Sequence, residues 1–192
     1  MPPKAKFTKE EIINASVEII ETAGIESLTA RNLGDKLGSS ARPVFTVFSG
    51  MDEVTVAATA FADSLYARYV EQGLKAPLPF KGVGESYIRF ASEHPKLFRL
   101  LFMKENEDVA DMQNVLQGID ASYDKILNSV RESYSLDADT AKKLYLHIWI
   151  YTHGVAVLIA TKMCKFTEVQ ISEMLTTVFT SLLVRAKKGE LK

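Results

Sequence analysis

Residues 28–54 read LTARNLGDKLGSSARPVFTVFSGMDEV, and the fold turns on them. Thr29 is placed to cap a short helix, with Leu28 before it and Leu33 within it set for a hydrophobic staple. Gly34 supplies the small side where a second helix must cross. Gly38 supplies the positive φ that a tight turn between helices requires. Ser40 then stands as N-cap of the second helix, and Pro43 falls in its first turn, where a missing N–H costs nothing. Turning about 100° per residue puts Val44, Val47 and Phe48 inward, to clamp against Leu33 and Leu37. Arg42, Thr46 and, toward the edge, Phe45 face outward. Two short helices, a glycine turn and a polar outer face make a helix-turn-helix, a device that lays its second helix in the DNA major groove.

The flanks are helical as well. Thr8 and Glu11 form a T-x-x-E capping box that opens a helix to about Ala23, ended by Gly24. Ile12, Ser16, Ile19, Ile20 and Ala23 line its expected inner face. Ser49 and Asp52 repeat the capping pattern for a helix over about 51–73. The segment KAPLPF (75–80) breaks the chain, and helical periods then run over about 80–93, 95–103, 108–133, 138–163 and 167–187. No strand alternation interrupts them. The expectation is an all-α protein of about nine helices. A three-helix DNA-binding domain occupies 1–50, and a larger helical ligand-binding and dimerisation domain occupies 51–192, linked through the helix at about 51–73.

Composition narrows the partners. The chain has 192 residues, 47% hydrophobic and 24% charged, with a formal net charge of −1. Such a balance excludes indiscriminate coating of nucleic acid, so DNA contact has to rest on local charge. Lys4, Lys6 and Lys9 near the start offer some. Cys164 is the one cysteine, which excludes an intramolecular disulfide and a multi-cysteine zinc site. The start lacks a signal-peptide apolar core. Residues 144–161 carry no Asp, Glu, Lys or Arg, but the histidines, threonine and glycine inside them fit a helix buried on several sides. The expected location is the cytoplasm, with no membrane partner.

Candidate DNA contacts follow from the outer face. Arg42 can fork onto guanine O6 and N7, Thr46 can bond a base or phosphate, and Phe45 can press on a thymine methyl. Thr29 and Ser40 lie at helix starts, where N–H groups and hydroxyls clamp phosphate, and Arg31 sits one turn in. The stretches FTKEEIINASVEIIETAG (7–24), LTARNLGDKLG (28–38) and SARPVFTVFSGMDEV (40–54) resemble the N-terminal domain of TetR-family transcriptional regulators. That resemblance implies dimeric binding to a quasi-palindromic operator, repression, and release when a small molecule enters the rear domain. It places Thr29, Arg31, Ser40, Arg42, Phe45 and Thr46 at family DNA-contact positions; Ser39, Ala41 and Lys6 complete the candidate set. Three departures stand out: Ser39 where an apolar residue is usual, Phe45 for tyrosine, and Met51 where a lysine often meets the backbone.

The rear half resembles the family less closely. SYIRFASEHPKLFRLLFM (86–103) is similar to a helix pair common in TetR-type rear domains, and WIYTHG (149–154) resembles the Trp–His–Gly signature of one group. The helices at about 138–163 and 167–187 carry wide apolar stripes, fit to form a four-helix dimer interface. Phe90, Phe98, Phe102, Met112, Tyr123, Trp149 and His153 are the candidate lining of a site for an apolar or aromatic small-molecule effector. No catalytic or metal residues and no cofactor are expected: Cys164 and His153 stand about 16 Å apart along a helix. There is also no phosphate loop and no H-x-x-x-H pattern. The rival reading is a helical interaction protein of the same fold that no longer reads DNA.

Overall fold

A computed structural model describes residues 5–105, 111–112, 114–119 and 121–191. Among the described residues the chain is all-helical. Its α-helices are α1 (Lys9–Ala23), α2 (Ala30–Lys36), α3 (Met51–Leu74), α4 (Pro79–Glu93), α5 (Pro95–Phe102), α6 (Val115–Ile119), α7 (Tyr123–Tyr134), α8 (Ala138–Ala160) and α9 (Glu168–Lys187). Short 3₁₀ turns occupy Ile25–Ser27 and Val44–Thr46.

Local chemistry sets most boundaries. Thr8 and Glu11 close the capping box of α1, and Gly24 ends it at φ 93°. Thr29 accepts from the Asn32 N–H, Asp137 from the Thr140 N–H, and Thr167 forms a second capping box with Gln170. The cap of α3 differs from expectation. Glu53, not Asp52, reaches back, accepting from the Ser49 N–H at 2.7 Å and from its hydroxyl at 2.9 Å. With Met51 opening the helix, Glu53 is the third helical residue, and its carboxylate reaches past Gly50 to Ser49, four residues back. These two bonds, the backbone one first, hold the Glu53 carboxyl below its ordinary range.

Two expected helices are corrected. The segment expected as one helix over 108–133 contains α6 and α7, joined through Ser122 at φ −90°, ψ 6° with no side-chain cap bond. Gly118 in the last turn of α6 weakens the helix there. Residues 108–110, 113 and 120 of that expectation lie outside the described residues. The helix expected to 163 stops at Ala160, because Lys162 turns left-handed at φ 60°. On α1 the inner face is Ile12, Ala15, Ser16, Val17 and Ile20, while Ala23 is exposed.

The chain forms two compact units. One comprises Met1–Leu65 with His94–Lys104, the other Tyr66–Glu93 with Glu105–Lys192. This division by compactness runs through α3 and at His94, the bend between α4 and α5. It differs from a division by role at residue 50. In the first unit α1 packs on α2 and α5; Ile12, Ile20, Leu33, Val44, Phe48 and Phe98 are almost fully buried. Each such side chain contributes about 1.5–3 kcal/mol of transfer free energy. Beside them Glu21 meets His94 at 2.5 Å, and the Lys96 ammonium donates to the Thr22 carbonyl.

In the second unit α4 lies against α7, α8 and α9. Within that unit α3 and α4 cross with backbones touching: a Cβ added to Gly73 would stand 2.6 Å from Gly82 carbonyl atoms and the Val83 nitrogen. Only glycine at both positions permits that approach. Helix α8 is long and apolar enough to cross a membrane by length and composition alone. Its Ala141, Leu144, Ile148, Thr152 and Val155 are buried in the unit's own core, as a soluble core helix would bury them.

Candidate functional site

The turn of the front unit is built as the glycines dictate. A Cβ on Gly34 would lie 2.8 Å from the Ala41 nitrogen, 2.9 Å from the Ser40 carbonyl carbon and 3.0 Å from the Ser39 oxygen. The segment 39–41 therefore rests directly on α2, and the Ser39 N–H donates to the Gly34 carbonyl at 2.9 Å. Gly38 takes φ 64° with open space around it, so its requirement is conformational and not steric.

The second helix of the motif is shorter than expected. After Ser40, Ala41 and Arg42 the chain closes i→i+3 bonds, Val44 N–H to Ala41, Phe45 to Arg42, Thr46 to Pro43 and Val47 to Val44 at 3.0–3.2 Å, and a single i→i+4 bond from Phe48 to Val44 at 3.1 Å. Pro43, with φ −62°, takes the N-cap position, and no side chain caps the turn. Ser40 is therefore an exposed hydroxyl and not a cap. The cause is local. Pro43 has no N–H to bond back to the carbonyl of Ser39 and its ring crowds that carbonyl, so no α-helix runs in from Ser40. Val44, Thr46 and Val47 are β-branched and poor helix formers, and Gly50 soon ends the segment.

The division into faces nevertheless matches the reading of the sequence. Val44 and Phe48 are buried and Val47 is half-buried, whereas Arg42, Phe45 and Thr46 are exposed, Phe45 to 42%. Thr29, Arg31 and Ser40 are exposed, and Ser39 and Ala41 are half-exposed. Lys6 joins them: its ammonium donates to the Ser39 hydroxyl at 2.9 Å and lies 5.2 Å from the Phe7 ring. Ser39, unusual as a polar residue here, thus anchors the N-terminal arm. Lys9 stands over the Phe48 ring; Lys4 lies outside the described residues. The Arg31 guanidinium is 4.0 Å from Asp35, with both side chains mostly in solvent, an ion pair too weak to withhold it from phosphate. The Thr46 hydroxyl donates to the Pro43 carbonyl at 2.7 Å. In that rotamer it offers lone pairs only, which suits a base amino group and not a phosphate oxygen.

Of the seven rear-domain candidates, Phe90, Trp149 and His153 belong to one aromatic cluster of the rear unit, linked through Tyr66 and Tyr87. Phe98 and Phe102 belong to the front unit, with ring centroids 5.2 Å apart. Phe90 packs on Tyr66 and Tyr69 at 5.4 and 5.3 Å. Tyr123 stacks on Tyr145, and Met112 is 71% exposed. Trp149 stacks on His153 at 4.9 Å, and His153 Nδ1 is 2.9 Å from the Tyr87 hydroxyl. Burial holds the His153 imidazole below its ordinary pKa, which keeps it neutral at pH 7.

The rear unit instead carries two clefts lined by other residues. The larger, about 770 Å³, has mixed walls, with Gln72, Glu85, Arg89 and Ser172 beside Ile88 and Phe166. There Arg89 donates to Gln72 at 2.9 Å and lies over the Tyr69 ring. The smaller, about 270 Å³, is lined by Leu78, Phe80, Gly84, Tyr134, Ile148, Thr152 and Phe179 among others. The Thr152 hydroxyl is 3% exposed and has no hydrogen-bond partner among the described residues. A buried hydroxyl left so costs about 1–3 kcal/mol. The signal for this site was in the sequence: Thr152 and His153 are adjacent polar residues inside the uncharged stretch 144–161. His153 found its partner in Tyr87, and Thr152 did not.

Residues 80–182 match the family model described as Tetracyclin repressor-like, C-terminal domain. The fold is similar to a TetR-like transcriptional regulator from Rhodococcus sp. RHA1, with TM-score 0.64 and 14% identity over 98% of this chain and 100% of that one. It is also similar to the fatty acid degradation regulator FadR from Bacillus halodurans, with TM-score 0.53 and 14% identity over 94% of this chain and 97% of that one. No curated protein sequence matches the chain.

Proposed function

The chain belongs to the tetracycline-repressor-like (TetR) family of transcriptional regulators, and from that premise we propose that it is a cytoplasmic, ligand-responsive repressor that binds a quasi-palindromic operator as a homodimer. The observation that carries the reading is the outward set Arg42, Phe45 and Thr46 on a turn seated against Gly34, with Lys6 and Arg31 beside it. Arg42 reads a guanine, Thr46 accepts from a base amino group, and Thr29, Arg31, Ser40 and Lys6 hold phosphates. An effector site, not a catalytic one, is the role assigned to the rear domain.

Dimerisation is supported by the side of α8 and α9 that its own unit leaves uncovered. Ile150 is 51% exposed, Val169 66% and Val184 54%, and Gly154 opens the α8 surface. Two copies of this helix pair make an isologous four-helix contact. The symmetry would present two recognition turns about 34–36 Å apart, one per half-site.

Response to a ligand would run through α4. That helix lines the smaller cleft with Phe80 and Gly84, and its Gly82 presses on Gly73 of α3. Displacing α4 has to displace the end of α3, whose first turns belong to the DNA-reading unit.

Arg42→Ala tests the reading directly. Binding measured across a panel of single-base operator variants should lose about 1–3 kcal/mol and lose preference at one position per half-site. A uniform loss over all sequences would make Arg42 a phosphate clamp. No loss at all would favour the rival, a helical interaction protein that has ceased to read DNA.

A further inference from the structure

Resting on the regulator reading above, we propose that the cleft between α4, α7, α8 and α9 is the effector site. Its ligand is a compact, uncharged, mostly apolar molecule with one hydrogen-bond-accepting oxygen, of the aryl ketone or aldehyde class. Size comes first. At about 270 Å³ the cleft lies just below the range of drug-sized sites,. It holds about nine water-sized groups, so a long acyl chain does not fit. Its walls are aromatic on one side: Phe179 packs 4.8 Å from Tyr134 and 5.8 Å from Phe80. Ile148 and Leu175 close the rest.

The polar handle is Thr152. A threonine inside a helix usually donates back to the carbonyl one turn earlier, as Thr161 does to Val157 at 2.6 Å on the same helix. Thr152 makes no such bond, although it is buried. Of the other hydroxyls on the lining, Thr176 donates to Ser172 at 2.7 Å and Thr180 to Thr176 at 2.8 Å, while the Tyr134 hydroxyl is a second polar group on the wall. The Thr152 hydroxyl is thus a donor held in an apolar wall, suited to a carbonyl oxygen. Gly84 keeps the space in front of it open, since a Cβ there would lie 3.6 Å from Leu175 and 3.9 Å from the Thr152 hydroxyl. Charge selects against acids. Lys81, the one cation on the lining, already has Glu85 3.7 Å away, so a carboxylate would have to compete with that weak pair while leaving water for an apolar wall.

Calorimetric titration of the full-length protein with acetophenone, ethylbenzene and benzoate separates these elements. Acetophenone should bind. Benzoate should bind at least about tenfold more weakly, because its charge would leave water for an apolar wall whose one cation already stands beside Glu85. Thr152→Val should weaken acetophenone about tenfold and leave ethylbenzene within about twofold. Gly84→Leu should abolish binding of both. Four results would overturn the assignment: no binding by acetophenone at millimolar concentration, benzoate as the tightest ligand, equal loss of acetophenone and ethylbenzene in Thr152→Val, or acetophenone binding that neither variant changes. Operator release is read separately. If acetophenone binds as described and the DNA stays bound, the effector role falls and the binding site stands. If the protein binds no operator, the titration is unaffected and the regulator reading is what fails.

Discussion

Gly34→Ala perturbs one atom at the place where the front unit is tightest. The added Cβ would stand 2.8, 2.9 and 3.0 Å from three backbone atoms of Ser39, Ser40 and Ala41, none of which can rotate away. Relief to an ordinary contact needs a shift of about half an ångström in segment 39–41. Overpacking of this kind costs about 1–3 kcal/mol. The gain of an alanine inside α2 returns about 1 kcal/mol, so net destabilisation is about 0–2 kcal/mol, or at most roughly 8 °C in Tm. DNA binding should suffer more than stability. The displaced segment leads straight into Arg42, whose base contact is worth about 1–3 kcal/mol. Symmetry counts that loss twice per operator. We expect binding weaker by at least about 30-fold by fluorescence anisotropy, with the variant still folded by circular dichroism. Gly38→Asn is the control: φ 64° with open space around it is tolerated by Asn, so it should leave affinity within about threefold. A Gly34→Ala protein that binds as tightly as wild type and melts higher would refute the close crossing and the reasoning built on it.

Other perturbations read the rear unit. Gly73→Ala would force its Cβ to 2.6 Å from the α4 backbone; it should lower the urea midpoint by an amount equivalent to about 2–3 kcal/mol, and an unchanged midpoint would contradict the glycine-to-glycine crossing. Thr152→Val removes a buried, unpartnered hydroxyl at nearly constant shape, so it should raise stability by about 1 kcal/mol, read as a Tm higher by about 2–4 °C; a lower Tm would show that the hydroxyl has a structural partner. His153 has its pKa held down by burial. Its stabilising contribution is therefore complete above the unfolded value of about 6.5 and is lost as pH falls through the folded value. The stability difference between wild type and His153→Gln should shrink from pH 8 to pH 5 in urea titrations, and a difference that grows would reverse the sign of the argument.

Much of the front unit was legible because its determinants are local. Gly38 needs only its own φ, Gly34 needs one crossing, and Thr8, Thr29 and Gly24 act within four residues of themselves. The inward and outward faces of 42–48 survived even though the helix shrank to a 3₁₀ turn, since burial depends on which side is apolar more than on exact pitch. The turn type was not legible, because the α and 3₁₀ forms differ by one hydrogen-bond register that Pro43 decides. Glu53 displaced Asp52 as the capping acid because the helix opens at Met51 and not one residue earlier. The clefts were hidden for another reason. The smaller one gathers Leu78, Phe80, Tyr134, Ile148 and Phe179 from four separate segments, and an aromatic residue in a core looks the same in sequence as one on a cleft wall. Phe90, Tyr123 and Trp149 have the composition of a cleft wall but are not on the lining; Thr152, a polar residue inside an uncharged stretch, is.

The central claim is sequence-specific DNA reading by a symmetric pair of the 39–46 turns. The most direct test is to select duplexes from a random pool with the purified protein, then titrate the winning sequence with salt while measuring stoichiometry. The account predicts one quasi-palindromic site bound by two protomers. With Lys6 and Arg31 on phosphates in each copy, four cations in all, the slope of log K against log salt should be about −3.6. Failure to enrich any sequence, with weak and equal binding to unrelated duplexes, would contradict it.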